Sequence, residues 1–283
     1  ADLSIIGAAW FAESLARIPI WLIDMLKDDF EINFIPSTNS VNFKDIPGSV
    51  AKIIKNKNNE IGCVALLTTQ PYVSYNGNYI DINIKSNKIK LAYTMFEAES
   101  IPAKWVDIFN NRFDAIVVPD SFCLDIYQKS GIKVPIFVLP LAIYLEEFLV
   151  KEVKKNVGKP FVFGMSGTFS WRKNQRLIIE AFAKEFGNNP DFLLKLHGRN
   201  GNKEECLQLI KKYNLKNVYV IDRVFDYKEY IDFMYSLDCY VLFSHGEGFS
   251  ISPREALALG IPCILSDNSG HKTICQTGFV RAV

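Results

Sequence analysis

The sequence predicts an α/β protein built on two doubly wound parallel sheets, one in each half of the chain. Short apolar runs alternate with helical patterns along most of the sequence, which is typical of βαβ units. A polar, lysine-rich stretch interrupts this pattern near the middle, and the alternation then restarts. The chain has 283 residues, of which 49% are hydrophobic, enough for two cores of ordinary size.

In the first half, six apolar runs predict the strands of one sheet. They are Leu3–Ile6, Ile32–Ile35, Val64–Leu67, Ile89–Tyr93, Ala115–Val118 and Ile136–Leu139. Helical patterns between them cover Trp21–Lys27, Pro102–Asn110 and Ser121–Lys129. We expect Pro19 to begin the first long helix or to kink it. The segment Tyr72–Lys88 breaks the alternation, and its Asn76-Gly77 predicts a tight turn between two extended pieces.

The stretch LVKEVKKNVGKP predicts a linker over residues 149–160, which leaves domains at 1–148 and 161–283. Strands of the second domain are predicted at Phe161–Met165, Phe192–His197, Val218–Ile221, Cys239–Phe243 and Pro262–Leu265. Helices are predicted at Asn174–Phe186, Glu204–Tyr213, Tyr227–Ser236 and Pro253–Leu259. Because ligands of such sheets bind at the carboxyl ends of the strands, we expect both domains to face a shared cleft.

Composition excludes several classes of protein. The 32 Lys and Arg nearly balance the 31 Asp and Glu, which argues against a nucleic-acid binder. No apolar run is long enough to span a membrane, and the chain does not begin like a secretory signal, so we expect a cytoplasmic protein. The six cysteines form no CxxC pair, which favours buried free thiols over disulfides or a zinc site.

The loop after the first strand of the second half combines glycines with cations. Gly164 and Gly167 precede Arg172-Lys173, which lie at the start of a predicted helix. Glycines let a ligand approach the backbone, and a helix N-terminus favours anions. Cations at this end cost roughly 0.3–1 kcal/mol unless an anion lies nearby. The pair therefore favours a bound diphosphate, with two solvated surface charges as the alternative.

Two acids distinguish residues 240–267. Glu247 lies between two glycines at the end of a predicted strand, where an acid has no local structural task, and we expect it to point into the cleft. Glu255 follows eight residues later. With Ser252 as N-cap and Pro253 as the first helical residue, Glu255 would complete a capping box. Capping and ligand binding are therefore equally good interpretations of Glu255.

The spacing Glu247-x7-Glu255 within GEGFSISPREALALGIPCI resembles the E-x7-E signature of retaining glycosyltransferases with the GT-B fold, most of all their family 4. Lys173 matches the lysine that begins the family's first donor-domain helix. Residues 94–122 resemble its acceptor-domain stretch, and LPLAIYLEEF lies where many members have an interdomain junction. The resemblance runs from about Leu91 to the end of the chain.

The resemblance implies two Rossmann-like domains, an acceptor-side and a donor-side one, with a C-terminal tail expected to be short because the sequence ends at Val283. Glu247 would face the transferred sugar, Glu255 would bind the ribose hydroxyls, and Lys173 with Arg172 would carry the diphosphate. Val224 would lie beside the base. Donor binding is also expected of Gly167 and Thr168, and of the backbone of Gly248, Phe249, Ser250 and Ile251.

The sequence departs from the family pattern at several points. Thr168 replaces a common arginine, for which Arg172 is the expected substitute, and the first half lacks the histidine that many members place near the sugar. His245 and His271 are candidates for donor contact, with a hydrogen-bonded structural role as the somewhat better interpretation of both, whereas His197 is expected to be structural.

Four residues of the first half are candidates for the acceptor side. Trp10 and Phe11, in the first βα loop, are expected to contact an acceptor sugar. Glu97 and Glu99 would bind the acceptor or handle its proton. The alternative is that one of these acids caps the helix near Pro102 and the other is solvated.

The resemblance implies transfer from a nucleotide diphosphate-sugar, such as a UDP- or GDP-sugar, to a saccharide or lipid-linked saccharide by a front-face retaining route. No D-x-D motif occurs, so we expect neither metal nor cofactor, with cations and a helix N-terminus stabilising the leaving group. The main alternative is a catalytically weak nucleotide-sugar-binding partner subunit. Peripheral membrane contact is considered through Trp21–Lys27, which carries little positive charge. A nicotinamide dehydrogenase is disfavoured because no G-x-G-x-x-G follows the first strand of either half.

Overall fold

A computed structural model of the chain describes residues 1–56, 60–71, 88–141, 143, 145–149 and 160–283. The chain divides into two compact units, Ala1–Ile143 and Tyr144–Val283, each of which is an α/β fold with one parallel sheet. The predicted turn at Asn76-Gly77 and nearly all of the predicted linker at 149–160 lie outside the described residues. The domain boundaries therefore stay predictions.

The first unit contains a parallel sheet of six strands. They are β1 (Leu3–Ala9), β2 (Ile32–Val41), β3 (Val64–Leu67), β4 (Ile89–Tyr93), β5 (Ala115–Val118) and β6 (Ile136–Val138). Their order is β2-β1-β3-β4-β5-β6, and all neighbours pair in parallel. The strand order reverses direction beside β1, so the loops after β1 and β3 flank a topological switch point. All six predicted strands are confirmed.

Four helices accompany this sheet in the described part of the unit. They are α1 (Ser14–Leu26), α2 (Gly48–Lys55), α3 (Ala103–Arg112) and α4 (Ser121–Lys129). The prediction that Pro19 begins the first helix is wrong, because α1 starts at Ser14 and contains Pro19. Trp21 and Ile23 of α1 are buried, so this segment cannot present those side chains to a membrane. No helix in the described ranges is long and apolar enough to cross a bilayer.

The second unit also contains six parallel strands. They are β7 (Phe161–Ser166), β8 (Phe192–Gly198), β9 (Val218–Asp222), β10 (Cys239–Leu242), β11 (Cys263–Leu265) and β12 (Val280–Ala282). Their order is β12-β11-β10-β7-β8-β9. The chain runs outward from β7 through β8 to β9 and then returns to β10 on the other side of β7. The loops after β7 and β10 therefore flank the switch point of this sheet, where ligands of such folds bind.

The helices of the second unit are α5 (Glu146–Leu149), α6 (Gln175–Glu185), α7 (Glu204–Lys212), α8 (Tyr227–Tyr235), α9 (Ile251–Ala258) and α10 (Lys272–Cys275). Two 3₁₀ turns, Trp171–Lys173 and Ser269–His271, lie in the loops after β7 and β11. All six cysteines are free thiols. The prediction that they are buried is wrong for Cys63, which is exposed, and for Cys275, which is half-buried.

Candidate functional site

An ion cluster joins the two loops at the switch point of the second unit. Lys173 Nζ donates to Glu247 Oε1 at 2.7 Å, and Arg172 Nη1 lies 3.1 Å from the same oxygen. Arg172 Nη1 also donates to the carbonyl of Gly246 at 2.6 Å. The side chains of Glu247, Lys173 and Arg172 are 6%, 15% and 37% exposed, so the shared carboxylate is the most deeply buried of the three charges.

The loop after β7 is shaped to place Lys173 against Glu247. A Cβ on Gly167 would lie 3.3 Å from Lys173 Cε, so glycine leaves room for the lysine side chain to pass. Asn174 takes a left-handed conformation (φ 52°) as the N-cap of α6, and its Nδ2 donates to the Phe243 carbonyl at 3.2 Å. The His245 amide donates to the Arg172 carbonyl at 2.7 Å. Hydrogen bonds to the backbone therefore fasten the two loops together.

The charges of the cluster determine the ionisation of Glu247. Burial alone raises the pKa of its carboxyl, but the charges of Lys173 and Arg172, with the Lys173 hydrogen bond, outweigh burial and hold the pKa below its usual value. Glu247 is thus the anion that the cations at the start of α6 require. The alternative of two solvated surface charges is wrong, and so is the expectation that Glu247 has no local structural task.

The backbone of Glu247 is held by the 3₁₀ turn after β11. Its amide donates to Ser269 Oγ at 2.8 Å, and its carbonyl accepts from the Gly270 amide at 2.8 Å. A Cβ on Gly270 would lie 2.6 Å from the Glu247 carbonyl oxygen and 2.7 Å from that of Gly248, both backbone atoms. Only glycine allows this approach, so the turn and the Glu247 loop are packed backbone to backbone.

The capping box predicted at Ser252 is wrong. Helix α9 begins at Ile251, and its N-cap is Ser250, which has a φ of 59° and makes no side-chain cap. Because Ser252 and Pro253 are already the second and third helical residues, Glu255 lies too far along the helix to complete the box. This finding removes the capping interpretation of Glu255.

Ser250 instead pairs with His271, whose Nε2 lies 2.9 Å from Ser250 Oγ. Burial lowers the pKa of His271 to about 4, against the attraction of Glu247, so its ring is neutral near pH 7. His271 Nδ1 lies 3.2 Å from the Ser266 carbonyl, which can only accept. Nδ1 therefore carries the proton, and Nε2 accepts from the Ser250 hydroxyl. His271 is a buried histidine that orients the first residues of the Glu247–Glu255 segment.

Glu255 is completely buried, and the Tyr230 hydroxyl of α8 donates to its Oε2 at 2.5 Å. Tyr230 Oη also lies 3.2 Å from Ser252 Oγ. In this state Glu255 offers no surface to solvent, so its role in binding ribose stays a prediction. Tyr230 was missed by the sequence analysis because nothing in the helical pattern of α8 distinguishes it from a core residue.

The remaining donor candidates differ in exposure. Phe249 is buried, and its ring stacks under the Arg254 guanidinium at 3.8 Å. Gly248 and Ile251 are also buried, whereas Thr168 is exposed and its carbonyl accepts from Gln175 at 2.9 Å. The geometry thus brings Gly167 and residues 247–251 together with Lys173 around one switch point, but it does not test their roles in binding.

Val224 is exposed and follows β9, at the edge of the sheet. The adjacent Phe225 ring stacks on His197 at 3.6 Å and 4°, and His197 also contacts Ser166 Oγ and the Arg223 carbonyl. Burial lowers the pKa of His197 to about 4, despite the hydrogen bond to Arg223 that opposes the shift. These contacts agree with the predicted structural role of His197.

His245 behaves differently from the expected hydrogen-bonded structural histidine. Its side chain is exposed, and its ring stacks on that of Trp171 at 4.2 Å and 18°. Trp171 was not among the predicted site residues. Its only sequence signal was its place immediately before Arg172-Lys173.

The acceptor-side candidates of the first unit are only partly available to a ligand. Phe11 is buried, and its carbonyl accepts from Arg17 Nε at 2.5 Å, so in this state its ring offers little surface to an acceptor and its role stays a prediction. Trp10 and Glu97 are half-buried and Glu99 is exposed. The N-cap of α3 is Pro102, so neither acid occupies the N-cap position. Their roles toward an acceptor stay predictions.

Within the described ranges, no group of three or more His, Cys, Asp or Glu is arranged to hold a metal ion. The groups that the two loops bring to the switch point are one ionised carboxylate, two cations and the amides at the starts of α6 and α9. Such a set suits an anionic ligand with a polar, hydroxylated part.

The second unit is the part of the chain that matches a protein-family model. Residues 147–283 match the family model of glycosyl transferases group 1. The second unit carries a glycosyl transferases group 1 domain. The match contains the ion cluster, the Glu247–Glu255 segment and every strand of the second sheet.

One curated relative is an uncharacterized glycosyltransferase of Methanocaldococcus jannaschii. It is 30% identical over 133 residues, which are 47% of this chain and 30% of the relative. The aligned part of the chain thus spans less than a third of that relative's length.

Solved structures share the fold. HepE of Anabaena, solved with UDP and glucose, has a TM-score of 0.65 and 12% identity, over 96% of this chain and 82% of that one. TarM of S. aureus, solved in a complex that includes UDP, has a TM-score of 0.58 and 16% identity, over 74% of this chain and 42% of that one. At these identities the likeness concerns the fold, which is the predicted two-domain α/β fold of the GT-B class.

Proposed function

We propose that this chain is a retaining, metal-independent glycosyltransferase that moves a sugar from a nucleotide diphosphate-sugar to a saccharide or lipid-linked saccharide. The observation that carries the proposal is the carboxylate of Glu247, held by Lys173 and Arg172 at the switch point of a glycosyl transferases group 1 domain. The UDP and glucose bound to HepE, which shares the fold, support a UDP-sugar as the first donor to test.

Donor binding exchanges the partners of the two cations. Before the donor arrives, Glu247 neutralises Lys173 and Arg172. A diphosphate presents more negative charge than one carboxylate, so it takes over these cations and the amides at the starts of α6 and α9. Glu247, freed from Lys173, is then available to the sugar hydroxyls and to the positive charge that develops on the ring.

The reaction breaks the bond between the anomeric carbon and the diphosphate oxygen, and the electron pair leaves with the phosphate. The acceptor oxygen bonds to the same face of the anomeric carbon, and its proton passes to the departing phosphate oxygen. Lys173 and Arg172 stabilise the charge that grows on the leaving group, a role that preorganised cations fill without a metal. Ribose binding by Glu255 requires that its completely buried carboxylate become accessible.

A thermal-shift panel of UDP-, GDP-, ADP- and dTDP-sugars tests donor binding. A ligand at 100 times its Kd stabilises the folded chain by about 2.7 kcal/mol. We expect one nucleotide class to stabilise the wild type and to have little effect on Lys173→Ala. Lys184→Ala, which removes an exposed lysine of α6, is the matched control and keeps the shift. If no nucleotide raises the melting temperature of the wild type, the proposal is wrong.

Turnover of the identified donor separates a transferase from a binding subunit. Release of nucleoside diphosphate with formation of a glycoside, unchanged by EDTA, supports the metal-independent transferase. The anomeric proton coupling of the new glycoside, read by NMR, distinguishes retention from inversion. Binding without turnover toward any saccharide acceptor supports the nucleotide-sugar-binding partner subunit instead.

A further inference from the structure

Trp171 is an unusually exposed aromatic residue beside the ion cluster. Its side chain is 78% exposed, although tryptophan is among the residues that gain most from burial. One side of the indole is stacked on the His245 ring at 4.2 Å and 18°. We call these two rings the aromatic platform. Because His245 is itself exposed, the platform is open to solvent rather than part of the core.

The platform is held in place by the same contacts that build the ion cluster. The His245 amide donates to the carbonyl of Arg172, the residue after Trp171, at 2.7 Å. Arg172 in turn donates to the carbonyl of Gly246, the residue after His245, at 2.6 Å. These reciprocal bonds fix the two backbones that carry the rings. A rigid aromatic surface loses little conformational entropy when a ligand stacks on it.

The platform lies on the solvent-exposed side of the switch point, outside the ion cluster. Exposure increases along the 3₁₀ turn from Lys173 through Arg172 to Trp171. Trp171 follows β7 and His245 follows β10, so each ring comes from one of the two loops that flank the switch point. A ligand part that contacts the platform therefore lies further from the buried Glu247 than the part bound by Lys173.

We propose that the aromatic platform is a saccharide subsite that stacks on a pyranose ring of the acceptor. The inference rests on the proposed function. A pyranose presents an apolar face of C–H groups, which gains free energy when it covers an indole ring, and its edge of hydroxyls stays hydrated. The diphosphate and the sugar of the donor bind at the buried ion cluster. The pyranose ring that stacks on the exposed platform therefore belongs to the acceptor.

A nucleotide base is the other ring that stacks well on tryptophan. The base is expected beside Val224, which follows β9, and β8 lies between β9 and β7 in the sheet. The platform lies instead beside β10, on the opposite side of β7. Its position therefore favours a saccharide over the base, and nucleotide affinity provides the check.

The test compares the wild type with Trp171→Ala, Trp171→Phe and Phe279→Ala. Phe279 is 79% exposed and precedes the edge strand β12, so its removal is a matched loss of exposed aromatic surface in the same unit. The probes are methyl glycosides of glucose, galactose, mannose and N-acetylglucosamine, with and without saturating UDP or GDP. Binding is read by saturation-transfer NMR on the glycoside, which does not depend on tryptophan fluorescence. Nucleotide binding is read separately by thermal shift.

We expect at least one glycoside to bind the wild type and Phe279→Ala alike, and Trp171→Ala to weaken its affinity about tenfold. Trp171→Phe keeps most of the affinity because it keeps an aromatic face. The nucleotide-induced shift is the same in all four proteins. In turnover assays, Trp171→Ala raises the KM for the acceptor and leaves the KM for the donor unchanged.

Other outcomes overturn the inference and separate it from the proposed function. Unchanged glycoside affinity in Trp171→Ala, or no glycoside binding to the wild type, removes the subsite while an intact nucleotide shift upholds the transferase. A nucleotide shift that falls in Trp171→Ala assigns the platform to the donor instead. Absence of any nucleotide shift in the wild type defeats the proposed function, whatever the glycosides do.

Discussion

Replacing Lys173 with methionine is expected to destabilise the second unit by about 2–3 kcal/mol. Lys173 donates to a carboxylate that is almost completely buried, and removing one partner of a buried pair typically costs about 3–5 kcal/mol because the other charge is left uncompensated. Arg172 remains 3.1 Å from the same oxygen and still neutralises part of its charge. The expected loss therefore lies at or below the lower end of that range.

The double variant Lys173→Met/Glu247→Gln determines whether the loss comes from the ion pair. Glutamine keeps the shape of Glu247 but carries no charge, so the double variant leaves no buried carboxylate. It should recover much of the stability, and the coupling energy from the four proteins should reach about 1.5 kcal/mol or more. Urea unfolding followed by far-UV circular dichroism measures each free energy of unfolding, with a separate transition fitted for each unit.

The pair Lys203–Asp222 provides the matched control. It lies in the same unit at a similar distance, 2.9 Å, but both side chains are far more exposed than Glu247. The cycle from Lys203→Met and Asp222→Asn should give a much smaller coupling energy, because exposed ion pairs contribute little to stability. Equal coupling in the two cycles would refute the reasoning, since burial of the Glu247 carboxylate would then contribute nothing.

Three further predictions concern ligand affinity, packing and pH. Glu247→Gln removes the anion that competes with a diphosphate for Lys173 and Arg172. Calorimetry should therefore show about tenfold tighter binding of UDP or GDP, and sugar transfer should be lost. Weaker nucleotide binding would contradict the proposed exchange of partners. Gly270→Ala places a Cβ against two backbone carbonyls and should cost about 1–3 kcal/mol in urea unfolding, whereas Gly48→Ala, with nothing within 4 Å, should not destabilise the chain. His197 and His271 have pKa values of about 4 when folded against 6.5 otherwise, so the unfolded chain binds more protons between these pH values. The free energy of unfolding should be at its full value above pH 6.5 and fall as pH drops toward 4, by up to about 3 kcal/mol for each histidine. A melting temperature that does not change over this pH range would contradict the burial of neutral histidines. So would a pH dependence of the melting temperature that His197→Asn leaves unchanged.

The sheets could be predicted because buried parallel strands read as short apolar runs. Of the twelve strands that the described residues form, eleven lie where apolar runs predicted them. The exception is β12, Val280–Ala282, whose three residues include Arg281 and form no apolar run. The start of α1 was predicted too late, at Trp21, whereas the helix begins at Ser14 and contains Pro19.

The residues of the site could be predicted one by one, but their contacts could not. Glu247 and Lys173 are 74 positions apart, and no spacing in the sequence shows that one carboxylate would serve both cations. Tyr230 closes over Glu255 from another helix, a contact that depends on how α8 and α9 pack. Trp171 was missed because its exposure beside His245 is a property of the folded loops alone.

In the proposed mechanism, the pairing of Glu247 with two cations gives one carboxylate a role both before and after the donor binds. A buried glutamate without partners would take up a proton, and a neutral acid could not stabilise positive charge on a sugar ring. Lys173 and Arg172 keep Glu247 ionised before the donor binds, as its lowered pKa shows. In the proposed exchange, a diphosphate engages the cations and its own charge keeps them in place, so the carboxylate is already deprotonated where the sugar ring becomes positive. The stability cycle therefore measures how strongly Glu247 binds Lys173, and the nucleotide affinity of Glu247→Gln measures how strongly Glu247 competes with a diphosphate for the cations.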